Sequence, residues 1–131
     1  MKYLMLVSHA TLAGGLEAAL NMLLGPREYT LRCELLEGMA PQEYANKVEQ
    51  KLARVGEQDE VVVLADVLGG APLKTVLATL AQKGLEASVI AFGGANLPMA
   101  IAAVMGIDDG LALDVIADAV LANGAQAVAR Y

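Results

Sequence analysis

The chain has 131 residues, 56% of them hydrophobic but only 4% aromatic, so it can bury a sizeable core of Leu, Val, Ala, Ile and Met. A formal net charge of −6 with no cluster of Lys and Arg argues against nucleic-acid or anionic-membrane binding, since both need concentrated cations. The single cysteine, Cys33, can form no internal disulfide, which fits a reducing cytoplasm and a small buried residue on a strand. No apolar run approaches the roughly 20 residues that span a bilayer. The short apolar start reads as a strand rather than a signal peptide. Without a linker or a shift in composition, residues 1–131 are expected to form one domain.

In chain order, Lys2 to Val7 is almost continuously apolar, as in a strand buried on both faces. It runs on into Ser8 and His9, then a small-residue turn. Leu16, Leu20, Leu23 and Leu24 recur at helical spacing, and Gly25-Pro26 stops that helix. Tyr29 to Leu36 alternates, which suits a half-exposed strand near a sheet edge. Pro41 fits a first helical position. Tyr44, Val48, Leu52 and Val55 form a buried stripe, Glu43 and Lys47 an exposed pair, and Gly56 the end. Glu60 to Asp66 is the strongest strand, β-branched and apolar until its last residue. A tight loop from Val67 to Ala71 leads to a helix opened by Pro72, with its stripe at Leu73, Val76, Leu77 and Leu80.

Glu86 to Phe92 reads as a fourth strand, Gly93 to Pro98 as a loop, and the residues to Met105 as a short apolar helix. Asp108-Asp109 is expected at the start of the last helix, where the dipole favours negative charge. That helix is expected to end near Asn123, with Gly124 as its C-terminal glycine. Ala125 to Arg130 fits a final strand or a helical tail, and the pattern does not decide. The order βαβαβαβα implies an α/β fold, an open parallel sheet with helices on both faces.

Two strands end in an ionisable residue followed by a small-residue turn: His9, the only histidine, and Asp66. In a flavodoxin-like sheet of order 2-1-3-4 those strands are neighbours, and the crevice between them is the topological switch point. Neighbouring strands lie about 4.8 Å apart, so His9 and Asp66 can meet. A carboxylate that accepts the proton of one ring nitrogen leaves the other with an exposed lone pair, an oriented nucleophile. Small residues at 13–15 and 69–71 let backbone N–H groups approach an anion at two helix starts. A phosphoryl group suits such a pocket better than an acyl group. Gly69-Gly70 matches neither a dinucleotide fingerprint nor a P-loop. Asp108 and Asp109 read as a solvated helix start rather than as metal ligands, and no metal site is expected. Ser8 could cap the following helix or touch the ligand.

The sequence resembles the enzyme IIA domain of the mannose-type sugar phosphotransferase system. The resemblance is sharpest at Leu6-Val-Ser-His9, at Val63-Leu-Ala-Asp66-Val-Leu-Gly-Gly-Ala-Pro72 and at Asn96-Leu-Pro-Met99. It implies that His9 is phosphorylated by the histidine-containing phosphocarrier protein and passes the group to a histidine of the IIB component, for sugar uptake. Asp66 would orient His9. Leu68, Gly69, Gly70 and Ala71, with Ser8 and Ala10 beside the histidine, would bind the phosphoryl group. Leu68, Asn96, Leu97 and Pro98 would form part of the partner-docking surface. The resemblance further implies a homodimer that exchanges a C-terminal strand at the sheet edge, antiparallel to the rest. It implies no cofactor, and contact with a membrane permease only through partners.

Two departures stand out. Ala10 replaces the glycine that commonly follows the histidine; it is harmless at negative φ and strained otherwise. Ala71 replaces a serine, so backbone N–H groups must carry more of the phosphoryl stabilisation. The rival readings are the phosphoryl-donor subunit of a dihydroxyacetone kinase and a non-catalytic ligand-binding or regulatory module on the same scaffold.

Overall fold

The computed structural model describes residues 1–131. Its elements follow as β1 (Lys2–His9), α1 (Leu12–Leu24), β2 (Thr30–Leu35), α2 (Pro41–Leu52), β3 (Glu60–Ala65), α3 (Ala71–Gln82), β4 (Val89–Phe92), α4 (Leu97–Asp108) and α5 (Leu113–Gln126). The four strands form one parallel sheet of order β2-β1-β3-β4. β1 and β3 are central, with Met5 opposite Leu31 on one side and Val63 on the other.

The near-continuous apolar runs follow from burial on both faces. Tyr3, Met5 and Val7 with Val61, Val63 and Ala65 face α2 and α3, where Tyr44, Val48, Leu52, Leu73, Val76 and Leu80 close one core. Leu4, Leu6, Val62 and Leu64 face α1, α4 and α5, where Leu20, Ala100, Val104, Ile116 and Val120 close the other. Cys33 is buried, and Tyr44 Oη donates to its carbonyl at 3.1 Å.

Several local expectations need correction. Residues Glu86–Ser88 form a short 3-10 turn, and β4 starts only at Val89. Asp108 closes α4 instead of opening α5. A carboxylate there opposes the helix dipole, but Arg27 grips it at 2.9–3.3 Å and Tyr29 Oη donates to it at 2.7 Å. The acid in the first turn of α5 is Asp114. Gly124 lies inside α5, where a Cβ would come 2.5 Å from Met99 Cγ, so glycine there permits close packing against α4. Of the undecided segment, Ala125 and Gln126 finish α5, and Ala127 to Tyr131 lie outside helix and strand. Glu43 and Lys47 form no ion pair; on that stretch Gln42 bonds Asn46 at 3.0 Å.

Candidate functional site

β1 and β3 end side by side, and the last side chain of β1 meets the first one beyond β3. His9 Nδ1 lies 2.8 Å from Asp66 Oδ2, and the His9 backbone N–H donates to the same oxygen at 2.9 Å. The Val67 N–H holds the other oxygen, Oδ1, at 2.9 Å. Burial pushes the Asp66 carboxyl up, but the donated bonds from the His9 backbone, the His9 ring and Val67 outweigh it and hold the group below the usual carboxylate range. Ionised, Asp66 can only accept, so the shared proton belongs to Nδ1. Nε2 then carries its lone pair into the open, on a side chain about half exposed against 12% for Asp66.

Two helix N-termini face this end of the sheet, and they differ. At α1 the N–H groups of residues 13–15 are already taken: Ala13 donates to Ser8 Oγ at 2.8 Å, Gly14 to Glu34 Oε2 at 3.0 Å and Gly15 to the Thr11 carbonyl at 3.1 Å. The expectation that residues 13–15 could cradle an anion is therefore corrected, because a carboxylate of β2 occupies the place. At α3 the N–H groups of Leu68, Gly69, Gly70, Ala71 and Leu73 have no acceptor within the chain. Free N–H groups at the positive end of a helix dipole are the donors that an anion needs. These adjoin the imidazole: a Cβ on Gly70 would lie 2.8 Å from His9 Cε1 and 3.6 Å from Nε2.

The other expected site residues fall as follows. Ser8 is buried beneath the histidine and its hydroxyl is engaged on both sides, with Ala13 N–H and with the Ala10 carbonyl. Ala10 is exposed at φ 50, the only non-glycine residue at positive φ, and its N–H is bound to the Leu35 carbonyl at 2.8 Å. The strained alternative therefore holds; a left-handed alanine costs about 1 kcal/mol. Leu68 is 73% exposed, and Leu12 and Val67 also show much of their surface to solvent. Asn96 is the N-cap of α4: Oδ1 accepts from Met99 N–H at 3.0 Å and Nδ2 donates to the Gly124 carbonyl at 3.3 Å. Asn96 and Leu97 line an apolar cleft of about 240 Å³ with Leu12, Leu16, Leu64 and Asp66. Pro98 is in the first turn of α4, partly exposed. No cluster of His, Cys, Asp and Glu side chains is arranged to hold a metal.

Gly93 escapes a sequence reading. A Cβ there would sit 2.4 Å from Leu68 Cα, so only glycine lets the loop after β4 press against the turn after β3. The neighbouring Gly94 and Ala95 N–H groups bind the Asp66 and Ala65 carbonyls at 3.0 and 2.9 Å. The paired glycines after an apolar strand were the available signal.

Fold and site together define a parallel α/β domain that presents an oriented, half-exposed histidine at the switch point of its sheet, beside a helix N-terminus that no side chain caps. Residues 3–121 match the family model of the PTS system fructose IIA component, and the chain belongs to that family. It is thus a IIA phosphotransferase component of a sugar phosphotransferase system, working with that system's phosphocarrier and IIB components. The chain is 25% identical to the mannose/sorbose specific IIA subunit of Enterococcus faecalis, with a TM-score of 0.83 over 100% of this chain and 96% of that one. Its fold also matches phosphotransferase system component EIIA from Streptococcus agalactiae, at 22% identity and TM-score 0.86 over 99% and 97% of the two chains. A IIA protein associated with the fucose utilization operon of Streptococcus pneumoniae gives 20% identity and TM-score 0.81 over 98% and 92%. No curated protein sequence matches significantly. No helix is long and apolar enough to cross a membrane.

Proposed function

We propose that Nε2 of His9 is the atom that carries the phosphoryl group. In the forward step Nε2 attacks the phosphorus held on the histidine of the phosphocarrier protein. The new N–P bond forms as the donor's N–P bond breaks, and the donor imidazole leaves with the electron pair. The Nδ1 proton stays where it is and strengthens its bond to Asp66 as positive charge develops on the ring. The unbonded N–H groups from Leu68 to Leu73 receive the phosphoryl oxygens. Ala71 offers its N–H and no hydroxyl. The same geometry run in reverse delivers the group to a IIB histidine.

The observation that carries this reading is the 2.8 Å contact between Nδ1 and Asp66, which leaves Nε2 the outward-facing nitrogen. The exposed Leu12, Val67 and Leu68 around it suit docking of two successive protein partners. The reading includes a single IIA domain over residues 1–131, at work in the cytoplasm. It also includes a homodimer joined by exchange of the C-terminal segment; the open edge of β4 and the exposed Val128 and Tyr131 support this. The test is incubation with phosphoenolpyruvate, enzyme I and the phosphocarrier protein, followed by intact mass. The expected result is one phosphoryl, labile in acid, stable in base and absent in His9→Ala. Labelling that survives His9→Ala would refute the assignment, since the chain has no second histidine.

A further inference from the structure

Ser8 precedes the proposed nucleophile, yet its side chain cannot reach a bound phosphoryl group. The residue is 1% exposed. Its Oγ donates to the Ala10 carbonyl at 3.1 Å and accepts the Ala13 N–H at 2.8 Å. Those two bonds bracket the one non-glycine residue of the chain at positive φ, Ala10 at 50°. The Ala10 N–H is fixed from the other side by the Leu35 carbonyl at 2.8 Å. An L-residue leaves the left-handed region when nothing holds it there. The angle in question sets the peptide that joins His9 to Ala10. His9 in turn depends on its backbone direction, because its N–H and its Nδ1 share a single oxygen of Asp66.

We propose that Ser8 is a positioning residue for phosphoryl transfer. Its hydroxyl clamps Ala10 in the left-handed turn, and that turn holds the His9 ring on Asp66 with Nε2 outward. The consequence of phosphoryl transfer rests on the function proposed above; the placement of the ring does not. Removing the hydroxyl leaves the buried Ala13 N–H unpartnered and takes from the Ala10 carbonyl its only donor within the protein. The cheapest repair is for Ala10 to relax toward negative φ, which draws the His9 peptide and ring away from Asp66. Glycine at position 10 is at ease at positive φ without a clamp, so the two positions are expected to be coupled.

The experiment uses wild type, Ser8→Ala, Ser8→Thr, Ala10→Gly and the double variant Ser8→Ala/Ala10→Gly, with two readouts. One is the initial rate of phosphorylation by the phosphocarrier protein. The other is the ¹⁵N spectrum of the only histidine ring with the ring neutral, which reports the Nδ1–H and Nε2–H tautomers directly. Ser8→Ala is expected to slow phosphorylation about tenfold, equivalent to about 1.4 kcal/mol, and to admit the Nε2–H tautomer into a ring that is otherwise Nδ1–H. Ser8→Thr keeps the hydroxyl and both wild-type properties. In the Ala10→Gly background, loss of the hydroxyl costs less than about threefold, the mark of a shared task. A purely structural serine would lower the unfolding midpoint and leave the tautomer ratio of the folded protein alone.

A wild-type rate and tautomer ratio in Ser8→Ala would overturn the proposal. So would an equal penalty in both backgrounds, which would mean that the hydroxyl acts other than through Ala10. Should Ser8→Ala fail to fold, Ser8→Cys fills the same space with a weak donor and must shift both readouts in the same direction. Should wild type take up no phosphoryl group, the proposed function falls, and the tautomer ratio alone still decides the role of Ser8.

Discussion

His9 is tied to Asp66 twice, through its ring and through its backbone, and the two ties have different consequences for a substitution. Asp66→Asn keeps the shape and an acceptor oxygen but removes the charge and offers donors as well, so the Nδ1–H form is no longer imposed. We expect phosphoryl uptake to slow at least about 10–100-fold, the effect of losing the carboxylate that orients a metal-bound histidine, while the amide spectrum stays native. An unchanged rate would mean that ring orientation does not limit transfer. Gly93→Ala acts on the same place from the opposite loop. The added methyl would fall 2.4 Å from Leu68 Cα, against backbone that cannot swing aside. The turn from Val67 to Gly70 must move, at a cost of about 1–3 kcal/mol. A lower midpoint in urea and slower phosphorylation should appear together. His9 and Asp66 were legible because each ends an apolar run. The φ of Ala10 and the role of Gly93 were not, since backbone distant in sequence enters both: the Leu35 carbonyl holds the Ala10 N–H, and Leu68 packs on Gly93.

The elements themselves could be read with most accuracy where local chemistry and tertiary packing agree. Pro41 and Pro72 sit at helix starts as their fixed φ and missing N–H require. The misreadings fall where a distant partner decides. Asp108 can end α4 because Arg27 and Tyr29, about eighty residues earlier, surround it. Gly124 resembles a helix stop, yet α5 runs past it to Gln126, and Met99 needs the room there. Gly124→Val should therefore be destabilising although valine is a tolerable helix former. The new side chain collides with Met99 and crowds the Asn96 amide that caps α4 and bonds the Gly124 carbonyl. We expect a loss of about 1–3 kcal/mol, read as a fall in urea midpoint. A neutral result would show that α5 can slide along α4 without strain. The two helix starts near the histidine teach the same lesson. From sequence they look alike; Glu34, a β2 residue, takes the Gly14 N–H of one, whereas the first N–H groups of α3 stay free.

At the scale of the molecule, the two cores hold the sheet and three carboxylates lace its ends. Asp59 binds the Gly56 N–H at 2.8 Å and the N-terminal ammonium at 3.0 Å; Asp108 binds Arg27 and Tyr29; Asp66 binds the histidine turn. All three are held below the ordinary carboxylate value of 3.8. For Asp59 the leading cause is the Gly56 N–H, for Asp108 the Arg27 hydrogen bond, and for Asp66 donated bonds that outweigh its burial. A depressed folded-state pKa means that the unfolded chain binds the proton more readily. The resulting stability is fully present above about pH 5 and is lost as pH falls through the ordinary value and then through the folded ones. Urea midpoints should thus be insensitive to these groups between about pH 5 and 7, and fall steeply below about pH 4, with net proton uptake on unfolding. Asp108→Asn should lower the midpoint at neutral pH and flatten the acid limb, because one of the three protons is no longer taken up. An acid limb as steep as wild type in Asp108→Asn would mean that the Arg27–Asp108–Tyr29 cluster does not couple to folding. The contrast with Asp66→Asn is informative, since Asp108 joins the loop before β2 to the end of α4 rather than holding His9. Its loss should change stability and leave the specific rate of phosphorylation of the folded protein intact, separating what holds the sheet together from what aims the histidine.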